Sequence, residues 1–555
     1  MTLTLRHYAL LALLAFFLAL PGRMTLPPLD RDEARYMEAT EQMVLSHNYL
    51  DIRFQDQPRY LQPAGIYWLE AASAKTASGL FGPTVLRQAW PYRIPSLIAA
   101  SLIVPLTAWI GVLLFDASTG LLGALLLMVS TLFVAESRMA TIDTVLLLDI
   151  LCVEALLAWL YTDLDKDKKP ALSLACGYWF ALGCGLMLKG PIVLIPGLAT
   201  PLCLALVERN FRLWHALRPA WGWLISLIIV APWCIGITLV SHGSFFEKSV
   251  GHNLLGKITH SQESHGFPPG YYLVLFLITF WPGAFFTIRA IPSIWHHRKL
   301  PPVMFLLCWI VPHWLFFEAL ATKLPHYVLP TFPAIALLTA ASLTLWNREQ
   351  IKRWAHALFS LYGLLWALAG FAFCCAGTVL LFKTEHLVSL RALIAFVGSA
   401  PLLVIAIILL LKHQVRQAAY SSIGAAILIH AGLFWAVIPH LGLIQLSPRL
   451  ANAFNEARPC KESVLISASY YEPSLVFLAG PQTRLLPPAQ AAESLVAHAK
   501  CDLAFVGDKD KDTFLKILEQ HNAKPRFYNH ITGLNYSKGK TLHLSLIGIE
   551  AEPQK

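Results

Sequence analysis

The sequence predicts a mostly α-helical, polytopic membrane protein with about 13 transmembrane helices, external amphipathic helices after the first span, and a small C-terminal α/β domain. Of its 555 residues, 56% are hydrophobic and 14% are charged, whereas a soluble globular chain carries about 25% charged residues. The mean hydropathy is +0.56. Apolar runs of membrane-crossing length recur along most of the chain, so a water-soluble body is excluded.

The transmembrane prediction depends on the apolar runs, each long enough to approach a bilayer thickness. They fall at 7–22, 94–115, 119–136, 142–161, 171–188, 191–207, 220–240, 271–288, 302–320, 327–345, 357–382, 391–411 and 420–440. The alternative for the first run is a signal peptide. However, Pro21-Gly22 is typical of a helix end, and no clear cleavage site follows it. We therefore expect it to be a span.

The distribution of Lys and Arg predicts the orientation, because short cytoplasmic loops are enriched in these residues. One alternating set of loops carries them: Arg6; Lys166, Lys168 and Lys169; Arg209, Arg212 and Arg218; Arg289, Arg298 and Lys299; Arg348, Lys352 and Arg353; Lys412 and Arg416. The other set, including 23–93 and the C-terminal tail, is then external, which in a bacterium is the periplasm. The net charge of +10 is accordingly assigned to orientation and not to nucleic acid.

The tail differs in kind from residues 1–444, which we assign to the transmembrane domain. Short apolar runs at 463–467 and 503–506 alternate with polar turns and a helical stretch at 511–520. This pattern predicts a periplasmic α/β domain over 445–555. It holds two of the ten cysteines, Cys460 and Cys501. An oxidising compartment allows a disulfide between them if their Cα atoms lie close enough.

The first external segment, 23–93, opens with a cluster of charges. If helical, Asp32 shares a face with Arg35 and Tyr36, which lie three and four residues further on. An apolar stripe opposite the charges predicts an amphipathic helix on the membrane surface, and a second one over 64–80. The alternative is an ordinary solvated helix start, where the helix dipole favours acids.

Three external turns carry further ionisable residues. Asp143, five residues after Arg138, sits at the start of a span, where it is either a functional acid or an N-cap. Lys189 and Lys323 lie at helix junctions broken by Gly or Pro, where each is either an anion ligand or a snorkelling side chain. If these groups meet, carboxylates able to act as bases lie beside phosphate-binding cations. With no nucleotide-binding loop in the sequence, a lipid phosphate is the simplest ligand.

Ordered motifs over about residues 1–345 resemble the glycosyltransferases of the C-type fold that use polyprenyl-phosphate sugars. The chain is similar to the bacterial branch of the protein O-mannosyltransferase superfamily and to the lipid A aminoarabinose transferases. The matching motifs are Asp32-Glu33-Ala34-Arg35-Tyr36, Arg138 to Asp143, Lys189-Gly190-Pro191, and Lys323-Leu324-Pro325-His326-Tyr327-Val328-Leu329-Pro330.

The resemblance implies transfer of a sugar from undecaprenyl phosphate to an envelope acceptor at the periplasmic face of the inner membrane. Lipid A or lipopolysaccharide core is the favoured acceptor, and a protein hydroxyl is the alternative. Asp32 and Asp143 are the implied catalytic carboxylates. The implied donor-phosphate ligands are Arg35, Arg59, Arg138, Lys189 and Lys323. The implied cavity-lining residues are Glu33, Tyr36, Gln62, His326 and Tyr327.

One departure bears on the donor sugar. Where the resembled proteins commonly have Glu-Lys-Pro, this chain has Leu61-Gln62-Pro63. Gln62 brings no positive charge to a phosphate and Leu61 cannot bind a metal, although Arg59 can compensate for the lost charge. The departure argues against assigning aminoarabinose as the donor sugar.

We expect no obligatory cofactor, because the cations already supply positive charge to a leaving phosphate. A divalent metal is the alternative. Its candidate ligands are Asp30 with Asp32, or the external His252, His260 and His265, but neither set has the spacing of a closed site. Two other functions are alternatives to a transferase. A transporter should place ionisable residues near mid-membrane, often with an internal repeat, and no repeat is found. A sensor or scaffold would leave the external acids and cations unexplained.

Overall fold

The computed structural model describes residues 2–166, 168–249, 251, 267–346 and 353–550. The fold is mostly helical. Its helices up to residue 241 are α1 (Leu5–Ala19), α2 (Asp32–Ser46), α3 (Gly65–Phe81), α4 (Ile94–Leu114), α5 (Ala117–Met128), α6 (Thr131–Glu136), α7 (Ile142–Asp165), α8 (Leu172–Lys189), α9 (Leu194–Glu208), α10 (Arg212–Ala216) and α11 (Pro219–Ser241). The next are α12 (Ser244–Phe246), α13 (Tyr271–Thr279), α14 (Gly283–His296), α15 (Pro301–Ala319), α16 (Phe332–Thr344), α17 (Arg353–Glu385), α18 (Leu390–Leu411) and α19 (Val415–Gly432).

Nine segments of the described residues are long and apolar enough to cross a membrane, and two shorter apolar helices, α1 and α5, join them. The prediction of a polytopic, mostly helical membrane protein is confirmed. One of the nine segments, Leu172–Glu208, spans 37 residues, and the short 3-10 turn Gly190–Val193 divides it into α8 and α9. Gly190 has φ +69° and Pro191 follows it, so the α-helix ends at the predicted Lys-Gly-Pro junction.

Small residues let the transmembrane helices approach closely. A Cβ atom on Gly120 would lie 2.4 Å from the carbonyl oxygen of Ala108, and one on Gly111 would lie 2.4 Å from the Cα of Gly120. With no hydrophobic drive between helices in lipid, such backbone contact is a principal source of packing energy. The two glycines therefore let α4 and α5 pack backbone against backbone.

The external segment 23–93 folds as α2, a hairpin of β1 (Arg53–Phe54) and β2 (Gln57–Pro58), α3, and the 3-10 helix Pro83–Arg87. The predicted helix is present as α2, and two of its acidic side chains are buried. Glu38 and Glu41 are 0% and 2% exposed. Burial raises their pKa values to about 8 and about 7. The segment Pro473–Ala479 of the C-terminal domain packs against α2, and the Arg87 guanidinium lies 3.7 Å from the Glu41 carboxylate.

The C-terminal domain contains α20 (Leu446–Ala457), α21 (Pro473–Ala479), α22 (Pro488–Ala497) and α23 (Lys511–Gln520). Its strands are β3 (Leu465–Ser467), β4 (Arg484–Leu485), β5 (Leu503–Gly507), β6 (Pro525–Asn535) and β7 (Lys540–Ile549). They form one sheet in the order β4-β3-β5-β7-β6, parallel for β4-β3-β5 and antiparallel for β5-β7-β6. Leu450 belongs to the core on one face and Phe514 to the core on the other, so helices cover both faces of the sheet.

The domain is closed by a disulfide between Cys460 and Cys501, whose Cα atoms are 5.6 Å apart. Each cysteine precedes one of two paired parallel strands, since Leu465 of β3 lies opposite Leu503 of β5. The pairing that the sequence left open is therefore made. The bridge ties together the starts of two central strands.

Candidate functional site

Polar residues from the three turns that were predicted to be external converge into one cluster. The ammonium of Lys189, the last residue of α8, donates a hydrogen bond of 2.5 Å to Oδ1 of Asp143 in the first turn of α7. His326 lies 3.8 Å from the same carboxylate and 3.6 Å from Glu136. Lys189 also lies 5.8 Å from the ring centre of Tyr327. The ends of α6, α7 and α8 and the 3-10 helix Pro325–Thr331 thus meet at one site.

The start of α2 brings a second carboxylate to this region. Asp32 occupies the first helical position, and its side chain is 63% exposed. Its Oδ1 lies 4.0 Å from the guanidinium of Arg35. Tyr36, one turn further on, is buried; burial raises the pKa of its hydroxyl well above the usual range, and Asp32 and Asp143 both add to that rise. Both carboxylates therefore act on one tyrosine, which stays protonated.

Arg59 and Gln62 complete the wall beside Tyr36. The amide of Gln62 donates to the Tyr36 hydroxyl at 2.5 Å. The guanidinium of Arg59 lies 5.3 Å from the centre of the Tyr36 ring and donates to the Tyr67 hydroxyl at 3.0 Å. Arg59 is 8% exposed. The buried Arg59 guanidinium is thus two residues before the Leu61-Gln62-Pro63 departure. This position is the one expected of a cation that replaces the positive charge of the missing lysine.

A largely apolar groove of about 230 Å³ leads to the cluster. Its polar end is formed by Gln62, Lys189 and Tyr327. The apolar lining comes from the end of α8, from α11, from α15 and from the segment after α11: Leu186, Val230, Trp233, Cys234, Phe245, Phe246, Phe316 and Leu320. A smaller cavity lined by Asp143 and His326 shares Lys189 and Tyr327 with the groove. One ammonium therefore faces both an apolar channel and a pocket with a carboxylate.

The arrangement can hold an anion that carries an apolar chain. Lys189 supplies the charge at the mouth of the groove, and the lining removes the chain from water. A metal is a second chemical possibility, because Glu136, Asp143 and His326 offer ligand atoms within 4.8 Å of one another. In this structure, however, the Asp143 carboxylate already binds the Lys189 ammonium. The histidines weighed as metal ligands, His252, His260 and His265, lie outside the described residues.

Three predicted site residues are placed away from the groove. Glu33 is not a cavity residue, because both of its oxygens bind the buried guanidinium of Arg93, at 2.8 and 3.0 Å. Arg138 is 1% exposed and donates to main-chain oxygens, including that of Pro21 at 3.1 Å. Lys323 is 3% exposed and donates to the main-chain oxygens of Phe267, at 3.0 Å, and Leu320, at 2.5 Å. The two cations thus bind main-chain carbonyl groups, and Glu33 neutralises a buried guanidinium.

Sequence reasoning missed two residues that the structure adds to the site. Glu136 contacts His326, and its signal was a second acid seven positions before Asp143. His313, in the middle of an apolar run, lies 2.9 Å through Nε2 from the main-chain oxygen of Tyr327 and lines the smaller cavity. A polar residue in a membrane span is a functional candidate by default, which is the signal that identifies His313.

The chain resembles known glycosyltransferases in both sequence and fold. Residues 82–240 match the dolichyl-phosphate-mannose-protein mannosyltransferase family. The undecaprenyl phosphate-alpha-4-amino-4-deoxy-L-arabinose arabinosyl transferase of Erwinia tasmaniensis is 28% identical over 56% of this chain and 54% of its own length. The enzyme of that name from Pseudomonas paraeruginosa is 27% identical over 62% of this chain and 61% of its own length. The matched part thus spans just over half of these relatives.

Solved structures extend the likeness to almost the whole chain. The crystal structure of ArnT from Cupriavidus metallidurans bound to undecaprenyl phosphate superposes with a TM-score of 0.72 at 19% identity, covering 99% of this chain and 98% of that one. The oligosaccharyltransferase of Archaeoglobus fulgidus superposes with a TM-score of 0.52 at 12% identity, over 93% and 69% of the two chains. The resemblance predicted from the motifs is confirmed: the chain has the C-type fold of ArnT and is similar in sequence to the undecaprenyl phosphate aminoarabinose arabinosyl transferases.

Proposed function

We propose that this protein is a glycosyltransferase that moves a sugar from an undecaprenyl-phosphate carrier to lipid A or lipopolysaccharide core at the periplasmic face of the inner membrane. The observation that carries the proposal is the position of Lys189, bonded to Asp143 where the polar pocket meets the apolar groove. A phosphate at Lys189 places its polyprenyl chain in the groove and its sugar in the pocket. The names of the relatives and the ArnT superposition support the same donor class.

In the proposed reaction, an acceptor oxygen attacks the anomeric carbon of the donor sugar and the bond from that carbon to the phosphate oxygen breaks. The exposed carboxylate of Asp32 takes the proton of the acceptor. Undecaprenyl phosphate leaves with the electron pair of the broken bond. The cations of Lys189, Arg35 and Arg59 stabilise the negative charge that develops on the departing phosphate.

The remaining site residues orient these groups. Asp143 holds the Lys189 ammonium in place, and Tyr36, supported by Gln62, lines the cavity between the two carboxylates. His326 and Tyr327 close the opposite wall. A fixed network of this kind needs little reorganisation as charge develops in the transition state. Such electrostatic preorganisation is the largest contribution to the rate enhancement of many enzymes.

We further propose thirteen membrane crossings, a transmembrane domain over 1–444 and a periplasmic domain over 445–555. The Cys460–Cys501 disulfide supports a periplasmic tail, since such bonds persist in oxidising compartments. Substituted-cysteine labelling of intact cells, with a membrane-impermeant reagent, tests this topology. Labelling at Asp56→Cys and protection at Arg416→Cys are expected, and the reverse pattern contradicts the assignment.

The proposed reaction requires no metal, because Lys189 supplies positive charge to the phosphate. Purified protein treated with a chelator and repurified is therefore expected to retain its transfer rate. Loss of the rate, restored by Mg²⁺ or Mn²⁺, would show that Glu136, Asp143 and His326 bind an essential ion.

The deciding experiment is mass spectrometry of lipid A and core from a strain lacking the gene, complemented with wild type, Asp32→Asn or Asp56→Asn. Asp56 is a matched exposed acid on the β1–β2 turn. We expect wild type and Asp56→Asn to restore a mass equal to one sugar, and Asp32→Asn to fail at equal abundance. Identical profiles in all strains would refute the lipopolysaccharide acceptor and direct the search to periplasmic glycoproteins.

A transporter is the second candidate, and one observation favours it. Asp149 and Glu154 lie within the membrane-spanning helix α7, and Glu154 accepts a hydrogen bond of 2.7 Å from Thr200. Ionisable residues at that depth are typical of substrate or proton paths. Loss of function in Glu154→Gln with full activity in Asp32→Asn would favour the transporter over the enzyme.

A further inference from the structure

The residue before the proposed catalytic carboxylate has an unfavourable backbone conformation. Arg31 has φ +68° and ψ −98°, a region that L-residues with a side chain rarely adopt. Such a conformation costs on the order of 1–3 kcal/mol and persists only when the surroundings hold it. Since Asp32 follows directly, whatever holds Arg31 also sets the direction of the Asp32 side chain.

The C-terminal domain supplies these contacts, although it is more than 430 residues away in the sequence. The main-chain N–H of Asp30 donates to the hydroxyl of Tyr536 at 2.5 Å. The Arg31 guanidinium donates to the main-chain oxygen of Ser537 at 3.2 Å. Both acceptors lie in the turn that joins β6 to β7, so one hairpin tip binds two consecutive residues of the catalytic segment.

A second element of the same domain binds the Asp30 side chain. The Ser474 hydroxyl, at the start of α21, donates to Oδ1 of Asp30. The Tyr470 hydroxyl donates to Oδ2 at 3.4 Å. Ser447 links the two hydroxyls, at 2.7 Å from that of Tyr470 and 2.6 Å from that of Ser474. The carboxylate is therefore held by a connected set of hydroxyl groups.

On the other side of Asp32, the chain is fixed by the transmembrane domain. Glu33 pairs with Arg93 and accepts hydrogen bonds from the main-chain N–H groups of Leu29 and Ala140, at 2.9 and 2.8 Å. Asp32 is thus an exposed residue between two anchored neighbours. Its own side chain is left available to a substrate.

We propose that Tyr536 and Ser474 are positioning residues, which fix the direction of the Asp32 carboxylate by binding Asp30 and thereby holding Arg31 in its strained conformation. The C-terminal domain then completes the active site without contacting the substrate. Docking of the domain alone does not require a buried acid at this position. Asp30 is nevertheless bound by hydroxyl groups close to Glu472, and burial raises its pKa to about 6. A surface selected for docking strength would avoid burying this carboxylate near another acid.

The rate prediction rests on the proposed transferase function, and the conformational prediction does not. The variants are Tyr536→Phe, Asp30→Ala and Asp30→Asn, with Tyr528→Phe as the matched control, a tyrosine of β6 that does not contact Asp30. Hydrogen–deuterium exchange of the full-length protein in nanodiscs reports on the peptide containing residues 28–36. Transfer kinetics with an undecaprenyl-phosphate-linked sugar report kcat and the KM for the donor.

We expect Tyr536→Phe and Asp30→Ala to increase exchange in this peptide and to lower kcat at least tenfold, with the donor KM changed less than threefold. Asp30→Asn, which keeps one acceptor oxygen for Ser474, should retain more activity than Asp30→Ala. Tyr528→Phe should match wild type in both measurements. A purely structural role would instead lower the amount of folded protein without this separation of kcat from KM.

Unchanged exchange in Tyr536→Phe and Asp30→Ala overturns the proposal, whatever the rates. So does a kcat within twofold of wild type in both variants. If exchange increases as expected but wild type transfers no sugar, the positioning of the 28–36 segment is supported and the proposed function fails. The two failures are therefore distinguishable.

Discussion

The buried pair of Glu33 and Arg93 gives the sharpest test of how the catalytic segment is held. Each side chain is 1% exposed, and the Arg93 guanidinium also donates to the main-chain oxygens of Arg23, Leu26 and Pro27. The substitution Glu33→Gln keeps the shape of the side chain but removes its charge. It also places an N–H donor where an oxygen now accepts a hydrogen bond, and so leaves a buried guanidinium uncompensated.

Breaking one partner of a buried ion pair costs about 3–5 kcal/mol, chiefly because the other charge stays buried. We expect Glu33→Gln to lower the thermal unfolding midpoint in detergent by several degrees. The double variant Glu33→Leu/Arg93→Met should be less destabilised than the sum of its single variants, since no charge is then left unpaired. Glu456→Gln, an exposed acid on α20, serves as the control, with an expected change within about 0.5 kcal/mol. A wild-type midpoint for Glu33→Gln would refute this account of the segment.

Three further predictions concern the ligand, the tail and pH. Lys189→Met should weaken binding of undecaprenyl phosphate about tenfold to a hundredfold, measured by fluorescence quenching in nanodiscs, whereas Asp143→Asn, which keeps the ammonium, should weaken it less. Replacing Cys460 and Cys501 by serine removes a link across 41 residues and should destabilise the C-terminal domain by about 4 kcal/mol, measured by limited proteolysis; equal protease resistance would contradict this. Burial against the C-terminal domain raises the pKa of Asp30 from 3.8 to about 6, so docking of that domain is strongest below pH 4 and weakens as pH rises through 6. Hydrogen–deuterium exchange of the 28–36 peptide, corrected for its intrinsic rate, should therefore be slower at pH 5 than at pH 7.5. A difference that persists in Asp30→Asn would contradict the assignment.

The parts of the molecule governed by local rules could be predicted from the sequence. Apolar length predicted a polytopic helical protein, and the Gly190-Pro191 pair predicted the end of a helix. The sequence placed Lys189 and Asp143 on one membrane face, where charges are few, and left open whether they meet; in the structure they do. Apolar length and helix-breaking residues act locally, so the sequence displays both.

Predictions failed where a distant part of the chain decides the environment. The helix α2 was predicted from its own charge pattern, which did not indicate that Glu38 and Glu41 are buried. The family resemblance implied that Arg138 and Lys323 bind the donor phosphate, whereas in the structure both donate to main-chain carbonyl groups. Broken helix ends leave carbonyl groups unpaired, and these take up the donors of both side chains. A sequence without contacts cannot distinguish a cation that binds a ligand from one that binds a carbonyl group.

The contacts on Asp30 also bear on how the protein is made. Asp30 is synthesised well before Ser474 and Tyr536, which follow it by 444 and 506 residues. Throughout synthesis the segment carrying Asp32 therefore lacks the partners that fix its geometry. On the proposed positioning role, a chain that stops short of the β6–β7 hairpin lacks the contacts of Tyr536 and Ser537 with this segment, so we expect the proposed active site to become ordered only after the C-terminal domain has folded.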